Sequence, residues 1–419
     1  MACRPHGAVE MRGTILIAGA GAAGCMAALT LLENGCPADK IILIDGNEKI
    51  AKKIYATGNG RCNLANARME EDCYYSGSGD PMRFVNGFRP SVFFEEHGIP
   101  VHERSGYFYP RTDQAATVAR FFEKKILRSG LLFLPETFLE KVQKTGSGFT
   151  CTLRGADGKK SAVSAEGLIL ATGGLVSRAF HCTGNGLSIA EKLGHKIVPV
   201  HPALTSLTVS DPLIKAAAGV RTTGSITADG RTEEGELQFT KTGISGIPVF
   251  QVSRLVSGKL LEGEKEVSVT LDLVPDIGRN DLEKIRVRRR EELSSLTAGE
   301  ILFGLIPEGL SSYLVRRVGL ADEKKMKNVG NPDAVLDHLF SLLKDLPFMV
   351  TGTGSYETSQ VTAGGVALSE VDPDTMESKV CPGLYPVGEL LDADGICGGY
   401  NLTFAFATGY RAGLSLAKL

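Results

Sequence analysis

The sequence lacks the patterns that usually hold a metal ion. Its seven histidines show neither HxH nor HExxH spacing, and no group of histidines and cysteines resembles a zinc cluster. We therefore predict no metal site. The nine cysteines are odd in number and include no CxxC pair, which argues against a disulfide framework. Free thiols in a reducing compartment are the better interpretation, and the cytoplasm is the expected location.

A strong imbalance of charge is also missing. The chain has 46 Lys and Arg against 48 Asp and Glu, a formal net charge of −2, so no global basic field indicates nucleic-acid binding. Sustained repeats and low-complexity tracts are absent from the sequence. A length of 419 residues with 43% hydrophobic and 22% charged content is typical of a globular protein with two or three domains.

One long stretch, residues 14–32, is nearly uncharged and follows Arg4 and Arg12. A signal peptide or membrane anchor is the alternative interpretation of such a stretch. A cleavage site should then follow it, whereas the chain continues into a second apolar segment at 40–44 and then Asp45. We interpret the stretch as protein core and predict no membrane association.

The segment 13–45 instead predicts a complete strand–turn–helix–strand unit that binds a dinucleotide. An apolar strand at 14–18 precedes Gly19, Gly21 and Gly24, which have GxGxxG spacing. Gly19 permits the tight turn, Gly21 lets a pyrophosphate approach the backbone, and Gly24 lets the following helix lie close to the sheet.

The rest of this unit supplies polar groups for the same ligand. A helix over 22–33 directs its N-terminal N–H groups and partial positive charge at the phosphates. The second strand, 40–44, ends in Asp45, about 20 residues beyond the last glycine, where a carboxylate accepts hydrogen bonds from ribose hydroxyls.

Two later segments predict further strands of the same sheet. Residues 167–171 lead into Thr172-Gly173-Gly174, and residues 383–387 lead into Gly388-Glu389. Each strand thus ends in small residues against which a cofactor can lie. Because the last strand is near the C-terminus, the middle of the chain must be an insertion.

We predict an α/β fold whose dinucleotide-binding domain is discontinuous. Short β-like runs in the insertion indicate a small antiparallel sheet or barrel, and a helical pattern follows, with Asn331 as the N-cap before Pro332. The predicted boundaries are a loose tail at 1–12, the first part of the binding domain at 13–196, the insertion at 197–350 (barrel about 197–275, helical about 276–346) and the second part at 351–419.

The segment 52–63, KKIYATGNGRCN, adds a motif with a specific resemblance. With the turn at 171–174, QVTAGGV at 360–366 and GLYPVGELLDADGICGGYNL at 383–402, the chain resembles the BaiN-like flavoproteins, a group that includes aminoacetone oxidase and YhiN-like proteins. Residues 106–111 are similar to the family's GRxFP. The resemblance implies FAD as the cofactor, a two-part Rossmann-like FAD-binding domain and an inserted β-barrel and helical domain.

The chain departs from the family pattern at two places. It has Ala65 where the family often has Thr, and Thr403-Phe404 where the family often has Gln-Trp. The flavin-side pocket is therefore expected to differ, and a substrate does not transfer directly from the family.

The motifs and the resemblance together predict the residues that contact FAD. They are Gly19, Gly21, Ala22, Ala23, Gly24, Asp45, Gly46, Lys52, Lys53, Gly58, Asn59, Gly60, Arg61, Cys62, Asn63, Phe138, Leu139, Ala171, Thr172, Gly173, Gly174, Gly388, Glu389, Asn401 and Leu402. Phe138 and Leu139 would flank the adenine or else belong to the core. Lys52 and Lys53 would pair with the pyrophosphate or else be exposed, and Glu389 would bond hydroxyls or else be a surface carboxylate.

Reduced flavin carries negative charge near N1 and the C2 carbonyl, so it needs donors there. We predict that Asn401 caps the last helix, so that the N–H groups of Leu402 and Thr403 supply them, although an ordinary terminal cap is the alternative. Cys62 is better interpreted as a small packing residue than as a redox thiol. If it were a redox thiol, Cys397 could meet it across the flavin ring.

The sequence does not single out a catalytic acid or base. The flavin-proximal candidates are Arg61, Cys62, Asn63, Cys397 and Asn401, and the substrate-side candidates are Tyr107, Tyr109 and Arg111, with packing as the alternative for the aromatic residues. A second GxGxxG unit with its own strand is absent from the sequence, since 184–186 follows a turn. NAD(P)H would therefore be a transient electron donor, or the substrate would itself be the reductant.

Three functions remain open at this point. The first is an FAD-dependent reductase of an activated C=C bond, for which the resemblance permits steroid-like enones or uridine in rRNA. The second is an oxidase of a small amine such as aminoacetone. The third is an RNA-associated protein with structural FAD, suggested by the basic runs at 286–290, 316–317 and 324–327, although solvated helix faces are the better interpretation of these runs because acidic residues nearly balance them. The oligomeric state stays open.

Overall fold

The computed structural model describes residues 15–176 and 178–418. These residues form two compact units, one made of the chain up to Val200 together with Val361 onward, and the other of His201–Gln360. The predicted tail at 1–12 lies outside the described residues. The second unit begins four residues later and ends ten residues later than the predicted insertion at 197–350.

The elements are as follows. The strands are β1 Ile15–Ala18, β2 Ile41–Ile44, β3 Ala65–Asn66, β4 Tyr74–Tyr75, β5 Val101–Arg104, β6 Tyr107–Pro110, β7 Leu132–Leu134, β8 Thr137–Thr145, β9 Gly148–Gly155, β10 Lys160–Ala165, β11 Gly167–Leu170, β12 Ile197–Ala203, β13 Leu207–Val209, β14 Arg221–Ala228, β15 Arg231–Phe239, β16 Gly243–Ser245, β17 Val267–Asp272, β18 Leu346–Thr353, β19 Val361–Val366, β20 Leu384–Pro386 and β21 Asp394–Gly395. The α-helices are α1 Ala22–Glu33, α2 Met82–Val85, α3 Pro90–Glu96, α4 Ala115–Ser129, α5 Asn185–Lys192, α6 Ile247–Leu261, α7 Arg279–Glu292, α8 Glu308–Arg317, α9 Pro332–Lys344 and α10 Tyr400–Leu416.

The first unit is built on a five-stranded sheet with the order β20-β11-β1-β2-β7, in which all neighbours are parallel. Strands β1, β2 and β11 are buried along their whole length, as the uninterrupted apolar runs predicted. Strand β20 pairs with β11 through Leu168 and Leu384. The C-terminal segment therefore completes the sheet begun near the N-terminus, which confirms the discontinuous fold.

Helices α1 and α10 pack closely because small residues line their contact. A Cβ added at Gly409 would lie 2.2 Å from the carbonyl oxygen of Ala23. One added at Gly413 would lie 2.7 Å from the Cβ of Thr30. The two glycines thus let α10 press on the helix that follows the glycine turn.

The second unit contains a closed six-stranded barrel with the order β13-β16-β15-β14-β17-β18. The predicted barrel at about 197–275 was wrong in its extent, because the closing strand, β18, comes after the helices α7 to α9. Strand β12 at the start of the predicted barrel pairs with β19 instead. Strand β18 alternates buried and exposed residues and pairs with β17 through Phe348 and Val269, so its apolar side completes the barrel core.

Helix α9 begins as its sequence predicts. The Asn331 side chain accepts a hydrogen bond from the backbone N–H of Ala334 at 3.1 Å, and Pro332 occupies the first helical position. Across residues 15–176 and 178–418, no helix has the length and apolarity that a membrane crossing requires. In the same ranges the eight cysteines are all free thiols.

Candidate functional site

The glycine turn after β1 leaves room where a ligand is expected. Gly19 has a φ of 111°, and a Cβ there would lie 2.2 Å from the carbonyl oxygen of Ala171. A Cβ at Gly24 would lie 1.8 Å from the carbonyl oxygen of Gly19, so this glycine serves the close return of α1. A Cβ at Gly21 would meet nothing within 4 Å. Of these three motif glycines, Gly21 is therefore the one that faces open space, which fits a pyrophosphate lying against the backbone.

Asp45 is fixed beside this turn. One carboxylate oxygen accepts from the backbone N–H of Ala20 at 2.6 Å, and the other accepts from the backbone and side-chain nitrogens of Asn47, both at 2.7 Å. Asn47 also donates to the carbonyl oxygen of Phe180 at 2.9 Å. The sequence analysis missed Asn47, although Asp-x-Asn after a strand is a typical Asx turn.

Of the two adenine-flanking candidates, only Phe138 lies partly open beside the turn region. A Cβ at Gly46 would lie 2.5 Å from the ring of Phe138, and the His181 ring meets the same aromatic edge-on at 5.5 Å. The guanidinium of Arg154 lies 4.9 Å from the Phe138 ring centre. Leu139 is buried in the hydrophobic core, which is the alternative considered for it.

Three distant motifs meet at an ion pair. Lys53 Nζ donates to Glu389 Oε2 at 2.6 Å, and Glu389 Oε1 accepts from the backbone N–H of Thr362 at 3.0 Å. A Cβ at Gly174 would lie 2.3 Å from Thr362 Oγ1. Burial opposes the charge on Lys53, but the attraction and hydrogen bond of Glu389 outweigh it and raise the Lys53 pKa. Lys53 is thus held charged beside the turn at 171–174, where its other donors can meet a polar ligand.

The backbone between residues 51 and 62 adopts an unusual number of left-handed conformations. Ala51, Asn59 and Cys62 have φ values of 59°, 53° and 60°, although none of them is glycine. Gly58 and Gly60 add two more, at 55° and 81°. Such conformations are unfavourable for residues with a Cβ and cluster where a loop shapes a functional site.

Buried polar atoms without partners lie in two of these motifs. The buried side-chain atoms of the described residues that have no hydrogen-bond partner include Asn63 Oδ1 and Thr172 Oγ1. An unpaired buried acceptor is unfavourable by roughly 1–3 kcal/mol, so a ligand that supplies a donor is the natural explanation. The open Gly21 cradle and these two atoms are where the residues present fit FAD.

The thiol of Cys62 has the environment of a packing residue. Its side chain is fully buried, and burial raises its pKa to about 12. The reactive thiolate is therefore strongly disfavoured, which supports the packing interpretation. Cys397 is only half-buried, and its predicted encounter with Cys62 stays a prediction.

The predicted capping role of Asn401 was wrong. Helix α10 begins at Tyr400, and the N-cap is Gly399, with a φ of 95°. A Cβ there would lie 2.9 Å from the backbone of Ala65, so the closely packed cap position requires glycine. Asn401 instead accepts from the N–H of Gly395 and donates to its carbonyl oxygen, both at 2.8 Å.

This placement also changes the predicted donors. The backbone N–H of Thr403 donates to Gly399 at 2.9 Å and is already occupied, whereas Leu402 lies in the open first turn. Asn401 therefore shapes the GICGGYN loop from within, and the predicted donor role of Leu402 stays a prediction.

The sequence analysis did not single out Asp392, whose side chain is fully buried. One of its oxygens accepts from Ser76 Oγ at 3.0 Å, Gly77 N at 2.9 Å and Ser78 Oγ at 2.7 Å. This carboxylate ties the SGS segment to the C-terminal motif. Ser and Gly before a loop give no signal of a partner more than 300 residues away, so only the structure reveals it.

The substrate-side candidates separate. Tyr107 and Tyr109 lie on one face of the β5–β6 hairpin, and a Cβ at Gly398 would lie 3.2 Å from the Tyr107 ring. Arg111 follows the hairpin, is exposed, and donates its backbone N–H to the carbonyl oxygen of Pro100 at 2.7 Å.

Within the described part of the chain, no three His, Cys, Asp or Glu side chains come together in a way that could hold a metal ion.

Comparison with known proteins agrees with this geometry. Residues 13–415 match the family model described as the HI0933-like protein Rossmann domain. The 3-dehydro-bile acid delta(4,6)-reductase of Clostridium scindens is 37% identical over 416 residues, which cover 96% of this chain and 98% of the relative. The ribosomal RNA dihydrouridine synthase of Escherichia coli is 30% identical over 409 residues, covering 96% and 97%.

A solved structure shows the same fold at lower similarity. The open conformation of a flavocytochrome c3 fumarate reductase is 14% identical, with a TM-score of 0.50, over 98% of this chain and 79% of that chain. The family match spans nearly the whole sequence, including every motif that converges around the glycine turn. The chain belongs to the HI0933-like Rossmann family and is an FAD-dependent oxidoreductase.

Proposed function

We propose that the protein is a reductase that uses FAD to deliver hydride to an activated carbon–carbon double bond, with a steroid-like enone as the substrate class. The observation that carries this proposal is the 37% identity to the bile acid reductase of Clostridium scindens over nearly the full length of both chains. The preserved FAD-binding motifs support the same reaction type.

In this proposal the chain's own residues hold the cofactor and leave the chemistry to it. FAD supplies two-electron transfer when bound. Gly21 and the start of α1 would receive the pyrophosphate, and Asp45 would accept a hydrogen bond from the ribose beside them. Lys53 and Glu389 would border the ligand beside the turn at 171–174, and Asn63 Oδ1 would accept a hydrogen bond from it.

We further propose that NAD(P)H is a transient electron donor. Gly184 caps α5 with a φ of 74°, and a Cβ there would lie 2.5 Å from the Leu175 side chain. The glycines at 184–186 are therefore explained by packing rather than by a second dinucleotide. A nicotinamide that visits the flavin and leaves fits a chain with one GxGxxG unit.

The rRNA alternative is less favoured. Arg286 pairs with Glu283 and Asp337, and Arg290 pairs with Asp333 and Asp337, so two cations of the basic run are already neutralised. The segment 276–346 contains twelve Lys and Arg and twelve Asp and Glu, a balance that gives no net attraction for phosphates. The 30% identity to the rRNA enzyme nevertheless makes uridine-containing RNA a necessary comparison.

Anaerobic rapid mixing tests the proposal. NADH or NADPH should bleach the bound flavin, and a 3-keto-4-ene steroid should restore its colour. The proposal fails if only uridine-containing RNA restores the colour, or if a small amine such as aminoacetone is the only compound that bleaches it. A protein that binds no flavin on reconstitution would contradict the cofactor assignment itself.

A further inference from the structure

One face of the β5–β6 hairpin gathers groups suited to proton transfer. In the register of the hairpin, His102 lies opposite Tyr109 and Arg104 lies opposite Tyr107, so all four side chains project from the same face. The tight turn at Ser105-Gly106, with φ values of 52° and 85°, fixes this register. We call this set the hairpin face.

The hairpin face borders two segments assigned to the flavin. The Asn66 side chain, on the neighbouring strand β3, donates to the carbonyl oxygen of Gly398 at 3.2 Å. The Tyr107 ring lies where a Cβ of Gly398 would be 3.2 Å away. The positive charge of Arg61, in the TGNGRCN motif, acts on Tyr109 and lowers its pKa. With the flavin held by these segments as predicted, the face would border the place where a substrate meets it.

We propose that Tyr109 is the proton donor for reduction of the C=C bond. This inference rests on the proposed reductase function. Reduction of an enone adds a hydride at the β-carbon and a proton at the α-carbon. The reduced flavin supplies the hydride with its electron pair. The O–H bond of Tyr109 breaks as the new C–H bond forms at the α-carbon, and the resulting tyrosinate takes a proton from water.

The neighbours of Tyr109 suit this role. Burial and the neighbouring Tyr107 raise the Tyr109 pKa, while the positive charges of Arg61 and Arg104 lower it, and Asp113 raises it again. The phenol therefore holds its proton at neutral pH. The two guanidiniums stabilise the tyrosinate that forms when the proton leaves. His102 is held by Asp113 at 3.0 Å at the edge of the face.

Tyr109 is a better choice than its neighbour. Tyr107 packs against Gly398 and is 37% exposed, whereas Tyr109 is more enclosed and has a cation from each flank. Tyr107 is accordingly assigned to lining the site.

The test separates the two half-reactions in the holoenzyme. In Tyr109→Phe, bleaching of the flavin by NADPH should stay within about twofold of wild type, whereas reoxidation by a 3-keto-4-ene steroid should slow by about 100-fold. Tyr410→Phe is the matched control, because Tyr410 packs against Phe88 with ring centres 5.0 Å apart and lies outside the site. It should leave both rates unchanged.

A second measurement needs no turnover. Wild-type holoenzyme labelled with 3-fluorotyrosine has a fluorine resonance that Tyr109→Phe removes and thereby assigns. In the oxidised enzyme, that resonance should shift when the steroid is added, and the resonance of Tyr410 should not. This arm measures contact between Tyr109 and the steroid in the wild-type protein, and the variant is needed only to assign the resonance.

The outcomes are distinct. If the steroid fails to reoxidise wild-type flavin, the reductase function falls and this inference falls with it. If wild type reacts but Tyr109→Phe is reoxidised equally fast, the reductase function stands and the assignment of Tyr109 is overturned. The same conclusion follows if the Tyr109 resonance does not shift when the steroid is added.

Discussion

At the scale of single residues, the site is defined by polar atoms that the protein leaves unpaired or half-paired. Asn63 Oδ1 and Thr172 Oγ1, which lie in the predicted FAD motifs, are buried without hydrogen-bond partners. Unpaired buried atoms of this kind are unfavourable in the protein without its cofactor. They are therefore the positions where binding of the cofactor should be most sensitive to substitution.

Asn63→Ala tests this relation between burial and binding. Because the side-chain oxygen has no partner, its removal breaks no hydrogen bond, and relief of the buried unpaired acceptor offsets the lost packing, so the stability of the apoprotein should stay nearly unchanged. The affinity for FAD should fall by about tenfold, the equivalent of one charge-free hydrogen bond. Titration of apoprotein with FAD by fluorescence quenching measures the affinity, and Asn86→Ala, at an exposed position, serves as the control. An unchanged FAD affinity in Asn63→Ala would remove this residue from the site.

A buried histidine should make the stability depend on pH. The His195 side chain is fully enclosed, with Nδ1 2.9 Å from Glu370 and Nε2 2.8 Å from Ser378. Burial lowers its pKa below the ordinary 6.5, although Glu370 acts in the opposite direction. Below that ordinary value the unfolded chain takes up a proton that the folded protein resists, so stability should fall as the pH drops through it.

Urea unfolding between pH 7.5 and 5.5 measures this effect. His195→Gln should be less stable than wild type at pH 7.5, because it breaks two buried contacts, but its stability should decline less on acidification. His338→Gln, at an exposed position, should keep the wild-type pH dependence. Parallel pH curves for wild type and His195→Gln would show that another group is responsible.

At the scale of elements, the sequence indicates local structure wherever the cause is local. The fully apolar runs of β1, β2 and β11, and the Asn331-Pro332 start of α9, are confirmed because burial on both faces and capping leave their own signatures. The closing barrel strand β18 was missed as such, since its partner β17 lies beyond three helices. Asn401 was assigned wrongly because the glycine needed at the cap is set by contact with Ala65, which is over 300 residues away.

The packing of α1 on α10 can be tested through a single methyl group. In Gly409→Ala the new Cβ would lie 2.2 Å from the carbonyl oxygen of Ala23, and backbone cannot move aside as a side chain can. We expect a loss of about 1–3 kcal/mol in the free energy of unfolding, together with weaker FAD retention, because α1 carries the phosphate-facing N-terminus.

The matched control is Gly258→Ala in α6. Its nearest neighbour would be His201 at 3.9 Å, an ordinary contact, so the better helix propensity of alanine should leave the protein equally or slightly more stable. Thermal unfolding of both variants gives the comparison. Equal stability of Gly409→Ala and wild type would mean that α10 can shift away from α1.

At the scale of the whole molecule, the predicted FAD site and the barrel belong to different units. All of the predicted FAD contacts fall within the unit formed by the chain up to Val200 and from Val361, although they come from segments far apart in sequence. The barrel and its helices form the other unit with a separate hydrophobic core. FAD is therefore expected to stabilise only the unit formed by the chain up to Val200 and from Val361.

Hydrogen exchange of apo and FAD-loaded protein tests that division. A ligand stabilises the state it binds, so removal of FAD should raise exchange in the glycine turn and α1, in the 51–63 loop and in the segment 383–402. The central barrel strands β14 and β17 should keep the same protection in both forms, because their pairing and buried side chains belong to the second core. These barrel strands serve as the internal control within each sample. A uniform rise in exchange over both units would show instead that the two cores unfold as one, and that the cofactor stabilises the entire chain.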